Sequence, residues 1–283
     1  MTERKLTHTP RHWWFHFKEP VFIRWFSSYK LGPIVRLTPS SAVVRATRRT
    51  DGAHAIAKFI KQGENSTDLN VFFDEKELVL LAEPVTLPLL DYFISPTSGV
   101  GVLVLPFVES SVPHSPKLRQ LAMRRLLESL AWCHERKLYH FDVKPQNILF
   151  SSDHKRLYLI DFGHSTSVDK PKPDDIGTPA YSPPEVLLGE RDQWSAAVDV
   201  WGAGTVFAEW SLGQSLFSGR DFADVFDQMR DMFPRGKLRL PGKVNEALSP
   251  LERGFLLSML RWDFEKRPTA RQLLQHKYFK RDL

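Results

Sequence analysis

The stretch that decides the fold is Tyr139-His140-Phe141-Asp142-Val143-Lys144-Pro145-Gln146-Asn147-Ile148-Leu149, followed shortly by Ile160-Asp161-Phe162-Gly163. An acid, a lysine and an asparagine share one loop between a helix and a hairpin, and a second acid precedes a glycine on the next turn. Phosphoryl transfer needs this inventory, because a carboxylate orients the attacking hydroxyl, hard oxygen ligands bind magnesium and a cation steadies the transferred group.

The order of these residues resembles the eukaryotic protein kinase family, in which a catalytic loop H-R-D-x-K-P-x-N is followed by D-F-G. The resemblance implies that Asp142 is the catalytic base and that Lys144 contacts the phosphate being transferred. It also implies that Asn147 and Asp161 hold Mg²⁺ and that ATP is the phosphoryl donor. A lysine two residues after the aspartate is typical of the Ser/Thr branch of the family.

Further motifs of this family follow in the expected order, so that the resemblance covers roughly residues 35–280. Ala55-Ile56-Ala57-Lys58 resembles V-A-I-K, and Lys58 is therefore expected to bind the α- and β-phosphates while Glu75 pairs with it. The remaining matches are Gly177-Thr178-Pro179-Ala180-Tyr181, Pro183-Pro184-Glu185, Asp199-Val200-Trp201-Gly202 and Lys266-Arg267-Pro268. We interpret Glu185 and Arg267 as a structural ion pair that ties the activation segment to the helical lobe.

The resemblance also implies which residues surround the nucleotide. They are Val43 and Ala57 above the adenine, Leu149 below it, Leu105 at the gatekeeper position and Pro106 to Val108 as the hinge. A proline fits at the first hinge position, because the family uses only the carbonyl there, whereas Val108 offers its N–H. Plain core packing is an alternative explanation for each of these apolar residues.

The apolar pattern predicts an α+β fold with two lobes and a ligand cleft between them. Residues 1–34 form an N-terminal extension, residues 35–106 a strand-rich small lobe with one main helix, and residues 107–283 a larger, mainly helical lobe. A hairpin is expected around Asp51-Gly52. The extension carries an aromatic and basic stretch at 12–17 and a second aromatic stretch at 21–26, which either pack onto the domain or dock a partner or a membrane surface.

The nucleotide-binding half departs from the family at its glycine-rich loop, G-x-G-x-x-G. The matching residues 36–43 contain no glycine, and Pro39 removes one possible N–H donor. Glycines let the backbone approach phosphates closely. We therefore expect weak ATP binding, with a KM toward or above the upper end of the usual range of ~1 μM to 1 mM.

A second departure concerns regulation, because Phe141 stands where the family pattern has arginine. In many kinases that arginine receives the phosphate on the activation loop, and a phenylalanine cannot pair with phosphate. The loop from His164 to Ile176 carries three acids instead, Asp169, Asp174 and Asp175. The hypothesis is that activity does not depend on activation-loop phosphorylation.

Composition sets the remaining expectations. The chain has 283 residues, a formal net charge of +6 and a single cysteine, Cys133, so it cannot form an internal disulfide. It contains neither a secretory signal nor an apolar run of the ~20 residues that a membrane span needs, which favours the cytoplasm or the nucleus. The positive charge fits a mildly basic protein or an acidic partner, and no nucleic-acid-binding motif is present. We expect a monomer that binds neither nucleic acid nor membrane.

The branch and the function class complete the predictions. Residues 203–209 and 215–219 resemble cyclin-dependent kinases, although Ser182 stands where that group has arginine, so proline-directed specificity is in doubt. The chain is also similar to the single-chain fungal kinases that activate cyclin-dependent kinases, which would make another kinase its protein substrate. Three function classes stay open: an active Ser/Thr protein kinase, a pseudokinase acting as a binding or scaffolding module, and a small-molecule kinase of the same fold.

Overall fold

A computed structural model describes residues 27–61, 69–167, 176–219 and 221–280. The aromatic runs of the N-terminal extension and the acids Asp169, Asp174 and Asp175 lie outside the described residues. The chain divides into two compact units, Met1–Val108 and Glu109–Leu283. The first is rich in strands and the second in helices, so the predicted α+β fold is confirmed.

The smaller unit is an antiparallel five-stranded sheet with the strand order β1-β2-β3-β5-β4. Its elements are β1 (Tyr29–Leu37), β2 (Ser41–Arg48), β3 (His54–Lys61), α1 (Asn70–Leu81), β4 (Asp91–Ser95) and β5 (Val100–Pro106). The predicted hairpin is confirmed as β2 and β3. Its turn is closed by the Arg48 Nη2–Asp51 Oδ2 ion pair of 2.6 Å, and Gly52 adopts a φ of 74°.

The predicted end of the extension at residue 34 falls inside strand β1. Tyr29 already pairs with Arg48 of β2, and the Tyr29 side chain is buried among the residues of the sheet core. The irregular register between Leu31 and Ile34, beside Pro33, explains why the sequence pattern looks broken there. The small unit therefore begins before residue 35, and its division from the larger unit follows Val108 rather than residue 106.

The two faces of the sheet bury different side chains. Strand residues alternate, so that Val100, Val102 and Val104 of β5 join one core cluster while Gly101 faces the other way. Helix α1 lies over that second face. A Cβ at Gly101 would come within 2.1 Å of the Phe72 ring, so only glycine lets α1 approach this closely.

The larger unit is built around helices α2 (Pro116–Glu135) and α4 (Ala196–Leu212). Helix α2 begins with Ser115, whose side chain accepts a hydrogen bond from the N–H of Leu118, and with proline at its first position. Helix α4 is buried along most of its length, as its apolar residues on every side require. The other helices are α3 (Pro184–Leu187), α5 (Phe222–Met232), α6 (Gly242–Ala247), α7 (Pro250–Met259) and α8 (Ala270–Leu273).

Two small antiparallel pairs of strands position the loops of this unit. They are β6 (Leu138–Tyr139) with β9 (Thr166–Ser167), and β7 (Ile148–Phe150) with β8 (Leu157–Leu159). The loop quoted at the start, from Tyr139 to Leu149, thus runs from β6 to β7, and the turn with Asp161 follows β8. Within the described residues, none of the helices has the length and apolarity to cross a membrane.

Candidate active site

The loop between β6 and β7 is fixed by one buried carboxylate, Asp199 of helix α4. Asp199 Oδ2 accepts the N–H of His140 at 3.0 Å and Oδ1 accepts the N–H of Phe141 at 2.7 Å. His134 Nε2 lies 2.8 Å from the same carboxylate. Complete burial raises the pKa of Asp199, but the hydrogen bond and charge of His134 outweigh it and hold the pKa below its ordinary value. The carboxylate therefore stays ionised and keeps both N–H groups in place.

Asp142 is the centre of a buried hydrogen-bond network, with only 3% of its surface exposed. Lys144 Nζ lies 2.6 Å from Asp142 Oδ2 and 2.6 Å from Thr178 Oγ1. The Thr178 hydroxyl donates to Asp142 Oδ1 at 2.7 Å, and Asn147 Nδ2 donates to Oδ2 at 2.9 Å. Lys144 and Asn147, two of the predicted catalytic residues, therefore contact the third one directly.

Within the described ranges of the chain, this arrangement leaves the carboxylate with one acceptor position. An ionised carboxylate has about four lone-pair sites, and three of those on Asp142 are taken by Lys144, Asn147 and Thr178. The remaining site is on Oδ1, because Oδ2 already accepts two hydrogen bonds. Asp142 can therefore accept one further hydroxyl while Lys144 balances its charge.

Thr178 is named above only as part of a motif, and its contact with Asp142 was not predicted. The threonine arrives from a separate part of the chain, 36 residues after Asp142. The signal was available, because the motif Gly177-Thr178-Pro179 matched the family, but a motif match does not say which atoms meet.

The residues predicted to hold Mg²⁺ lie on two segments that the backbone brings together. The N–H of Ile160 donates to the carbonyl of Asn147 at 2.9 Å, which places Asp161 beside that residue. Asn147 Oδ1 is buried, and no donor from the described residues reaches it. An unsatisfied buried oxygen is costly, and a cation would satisfy it.

The donor set also fits the way that magnesium is usually bound. In the described part of the chain, no group of three or more His, Cys, Asp or Glu side chains could hold a metal by itself. Mg²⁺ at phosphoryl-transfer sites takes one or two protein carboxylates and completes its shell with phosphates and water. Asn147 and Asp161 match that requirement.

Asp161 is held at the start of its turn by the residues around it. It adopts the left-handed conformation, with φ 66° and ψ 72°, and the next residue, Phe162, is fully buried. The Phe162 ring meets the His140 ring edge-on, with centroids 4.9 Å apart, and His140 Nε2 lies 3.0 Å from the carbonyl of Ile160. His140 therefore links the turn of Asp161 to the loop of Asp142.

The smaller unit contributes a second set of predicted residues. Lys58 Nζ on β3 lies 2.6 Å from Glu75 Oε1 on α1, and both side chains are largely buried. Val43 of β2 pairs with Lys58 across the sheet, so the two side chains share one face, and Val43 is half-buried. The predicted Lys58–Glu75 ion pair is present.

The structure corrects the assignment of Ala57. Ala57 is fully buried in the core cluster with Val44 and Phe59, on the face of β3 opposite to Lys58. Ile56, two residues before Lys58, shares its face and pairs with Leu105 of β5. The alternation of the strand thus puts Ile56, not Ala57, on the face that carries Lys58, and gives Ala57 a core position.

The other residues predicted around adenine have exposures that leave them available. Leu105, Pro106 and Val108 at the end of β5 are half-buried in the smaller unit. In the larger unit, Leu149 is half-buried between the buried Ile148 and Phe150, so it points away from the face that those two cover.

Comparison with known proteins settles the family. The model of the protein kinase domain matches residues 39–279, which is most of the chain. The chain belongs to the protein kinase domain family. It is also 33% identical over 193 residues to "Cell division control protein 2 homolog 1" of Trypanosoma brucei brucei, a match that covers 56% of this chain and 63% of that relative.

This kinase domain replaces the glycine-rich loop with a turn whose side chains bind each other. Aligned on Val43, the glycine pattern places Thr38 and Ser41 at its second and third glycines. Thr38 Oγ1 lies 2.8 Å from Ser41 Oγ and accepts the N–H of Ser41 at 2.9 Å, and the N–H of Thr38 donates to the carbonyl of Ser41 at 2.8 Å. Two N–H groups near which the family binds phosphate are thus used inside the turn.

Phe141 has become part of an apolar cluster in this kinase domain. Only 1% of its surface is exposed, and it packs with Ile176, Val186, Trp194 and Val198. Ile176 directly precedes Gly177 and Thr178, so the cluster joins the catalytic loop to the end of the activation segment. Packing occupies the place where family members have an arginine.

The end of the activation segment is also tied to the helical core by the predicted ion pair. Arg267 Nη1 and Nη2 bind Glu185 Oε1 and Oε2 at 2.6 and 2.8 Å. Arg267 also donates to the carbonyl of Ala197 at 3.1 Å and stacks on Trp201 at 4.9 Å. Bidentate ion pairs of this kind are strong, and removing either partner would leave the other as an unpaired buried charge.

Proposed function

We propose that this kinase domain transfers the γ-phosphoryl group of ATP to serine or threonine hydroxyls of protein substrates. The observation that carries the proposal is the Asp142 carboxylate, which is held by three donors and retains one acceptor position on Oδ1. A hydroxyl bound at that position is oriented for attack and gives its proton to Asp142.

The neighbouring residues have separate roles in this proposal. Lys144 neutralises the charge that develops on the transferred group, and Thr178 fixes the orientation of the carboxylate. Lys58, held by Glu75, binds phosphate oxygens of the nucleotide, and Val43, Ile56, Leu105 and Leu149 contact the adenine. Bound by Asn147 and Asp161, Mg²⁺ would supply charge neutralisation of the triphosphate.

A role in the cell cycle, with another kinase as the substrate, is part of the same proposal. The match to a protein named as a cell division control homolog supports it. We propose in particular that the chain acts as a single-chain kinase that activates cyclin-dependent kinases. We further propose that the chain acts as a monomer in the cytoplasm or the nucleus.

Independence from activation-loop phosphorylation completes the proposal. The apolar cluster around Phe141 supports it, because packing with Ile176 can hold the end of the segment without a phosphate. Treatment with a phosphatase should leave the rate of transfer unchanged. Loss of activity after dephosphorylation would contradict this part of the proposal and leave the kinase assignment intact.

The test of the main proposal is transfer from labelled ATP to a mixed protein substrate in the presence of magnesium. Wild-type protein is compared with Asp161→Asn, which keeps the shape of the side chain and removes its charge. Transfer that is lost in the mutant supports metal-dependent catalysis.

A pseudokinase scaffold is the second candidate, favoured by the turn in which Thr38 and Ser41 replace glycines. It predicts no transfer from either protein, even at millimolar ATP. A small-molecule kinase predicts transfer only to low-molecular-weight acceptors, although such enzymes rarely carry the Glu185–Arg267 pair.

A further inference from the structure

A basic depression lies on the larger unit, in the segment that joins helices α5 and α6. Its volume is about 640 Å³, and it is lined by Pro234, Arg235, Lys237, Leu238 and Arg239. The three cationic residues are all exposed. None of these residues belongs to the catalytic loop, the turn of Asp161 or the Lys58–Glu75 pair.

The backbone of this segment is anchored to the core. Phe233 is buried between Trp201 and Trp262, with ring centroids 5.8 and 5.4 Å away. The N–H of Arg239 donates to the carbonyl of Met232 at 2.7 Å, which closes the loop. A braced loop fixes the backbone positions from which the cationic side chains extend, so that binding a ligand needs no ordering of the backbone.

The charges of the depression have no partners within the described residues. Arg235, Lys237 and Arg239 form no ion pair there, whereas the exposed Arg230 nearby lies 3.2 Å from Asp227. The dipole of helix α5, which ends at Met232, favours cations only within its last turn. It therefore explains Arg230 but not Lys237 or Arg239.

We propose that this depression is a docking site for an acidic segment of the protein substrate, an inference that rests on the proposed kinase function. Carboxylates would pair with the three cations, and Leu238 and Pro234 would contact an apolar side chain between them. A single-stranded nucleic acid fits less well, because no aromatic side chain lines the depression on which a base could stack.

The binding test uses a short fluorescent peptide of alternating glutamate and leucine residues and the full chain. The variant Lys237→Glu/Arg239→Glu reverses two charges and leaves Arg235, with its left-handed φ of 57°, unchanged. The matched control is Lys117→Glu/Lys280→Glu, which makes the same change in charge at exposed positions of the same unit. We expect the first variant to bind the peptide about tenfold more weakly than wild type, and the control to bind it nearly as well.

Two results of the binding test would overturn the proposal. One is equal affinity of the variant and the wild type for the peptide, which would mean that the basic residues are only solvated surface charges. The other is tighter binding of a single-stranded oligonucleotide or of anionic vesicles than of the peptide, with the same dependence on Lys237 and Arg239.

A kinetic measurement separates docking from catalysis. A substrate peptide that carries a glutamate-rich tail is compared with the same peptide carrying a neutral tail. We expect the acidic tail to lower the KM of the wild type with little change in kcat, and to have no effect on the Lys237→Glu/Arg239→Glu variant. A wild-type KM that ignores the tail contradicts docking. Absence of all transfer contradicts the kinase function, while the binding test still decides the docking site.

Discussion

The catalytic loop and the turn between β1 and β2 differ in how closely their residues match the pattern of the family. Around Asp142 the family residues Lys144 and Asn147 are present, and both bind the Asp142 carboxylate. In the turn the family glycines are gone, and Thr38 and Ser41 bind mainly each other. The contrast is that the loop of Asp142 carries the acid, lysine and asparagine of the family pattern, whereas the turn that holds the glycines in the family has different residues here.

The physical reason lies in burial. Asp142, Lys144 and Asn147 are buried, so that replacing one of them leaves the other polar groups without partners. Pro39 and Ser40 at the tip of the turn are exposed, and water can satisfy whatever a substitution frees. Besides its local hydrogen bonds, the turn is held by the N–H of Lys61 on β3, which donates to the carbonyl of Ser40 at 2.9 Å.

Substitution of Asp142 in the catalytic loop should reduce kcat more than any other change proposed here. Asp142→Asn keeps the shape of the side chain and removes the proton acceptor, so kcat should fall by about 10²–10⁴-fold while the KM for ATP stays near its wild-type value. Steady-state transfer of labelled phosphate measures both. The control Asp153→Asn alters an exposed acid of the same unit and should be silent. A fully active Asp142→Asn would remove the base from our mechanism.

The second prediction concerns stability at the neighbouring residue. Phe141→Arg restores the family residue but places a charge in an apolar cluster, so the free energy of unfolding should fall by roughly 3–5 kcal/mol. Phe141→Leu keeps the packing apolar and should cost less than about 1.5 kcal/mol. Denaturant titration distinguishes them. Equal stability of the two variants would mean that the cluster tolerates water and is not a packed core.

Restoring the family residues in the turn between β1 and β2 should improve function, whereas restoring arginine at position 141 should lower stability. Thr38→Gly/Ser41→Gly returns the family residues, and the KM for ATP should fall by about 2- to 10-fold, as expected for one added hydrogen bond of roughly 0.5–1.5 kcal/mol. Thr38→Ala/Ser41→Ala removes the same side-chain bonds without the freedom of glycine. If the KM for ATP falls equally in the alanine variant, the weak binding of ATP is due to the hydrogen-bonded side chains of Thr38 and Ser41. A low-micromolar KM for ATP in the wild type would show that the turn does not weaken ATP binding.

The smallest effect is one of labelling. Burial, helped by the charge of Asp199, raises the pKa of Cys133 to about 12, so this thiol should resist alkylation in the native protein. Its rate of reaction with iodoacetamide then reports opening of the larger unit. The glycine variants of the turn should leave that rate unchanged, and Phe141→Arg should increase it. Rapid labelling of the native wild type would show that helix α2 is less protected than its burial implies.

That Asp142, Lys144 and Asn147 meet could be expected from the sequence, because the family pattern restricts both their type and their spacing. Asp142, Lys144, Asn147 and Asp161 fall in one unit at positions where their atoms meet or lie beside one another. The contact of Thr178 with the base was not predictable in the same way, since it depends on how two distant segments pack.

The adenine-facing residues were less predictable because apolar motifs tolerate ambiguity. Two alanines flank Ile56, and matching letters selected Ala57 although strand alternation places Ile56 on the face of Lys58. Geometry resolves such a choice more reliably than residue identity does.

The fold was predicted best where its elements are long. The hairpin of β2 and β3 and helix α2 follow from their patterns, but β1 was divided at residue 34 because Gly32 and Pro33 interrupt it. The short strand β4 and helix α6 give too few residues for a period to stand out.

The close packing at Gly101 predicts which mutations a genetic screen would recover. Any side chain there would strike Phe72, which lies on α1 one turn before Glu75, the partner of Lys58. A screen for loss-of-function alleles should therefore recover missense changes at codon 101, although Gly101 has no side chain to take part in chemistry. Intragenic suppressors of those alleles should cluster at codon 72 and replace phenylalanine by a smaller residue.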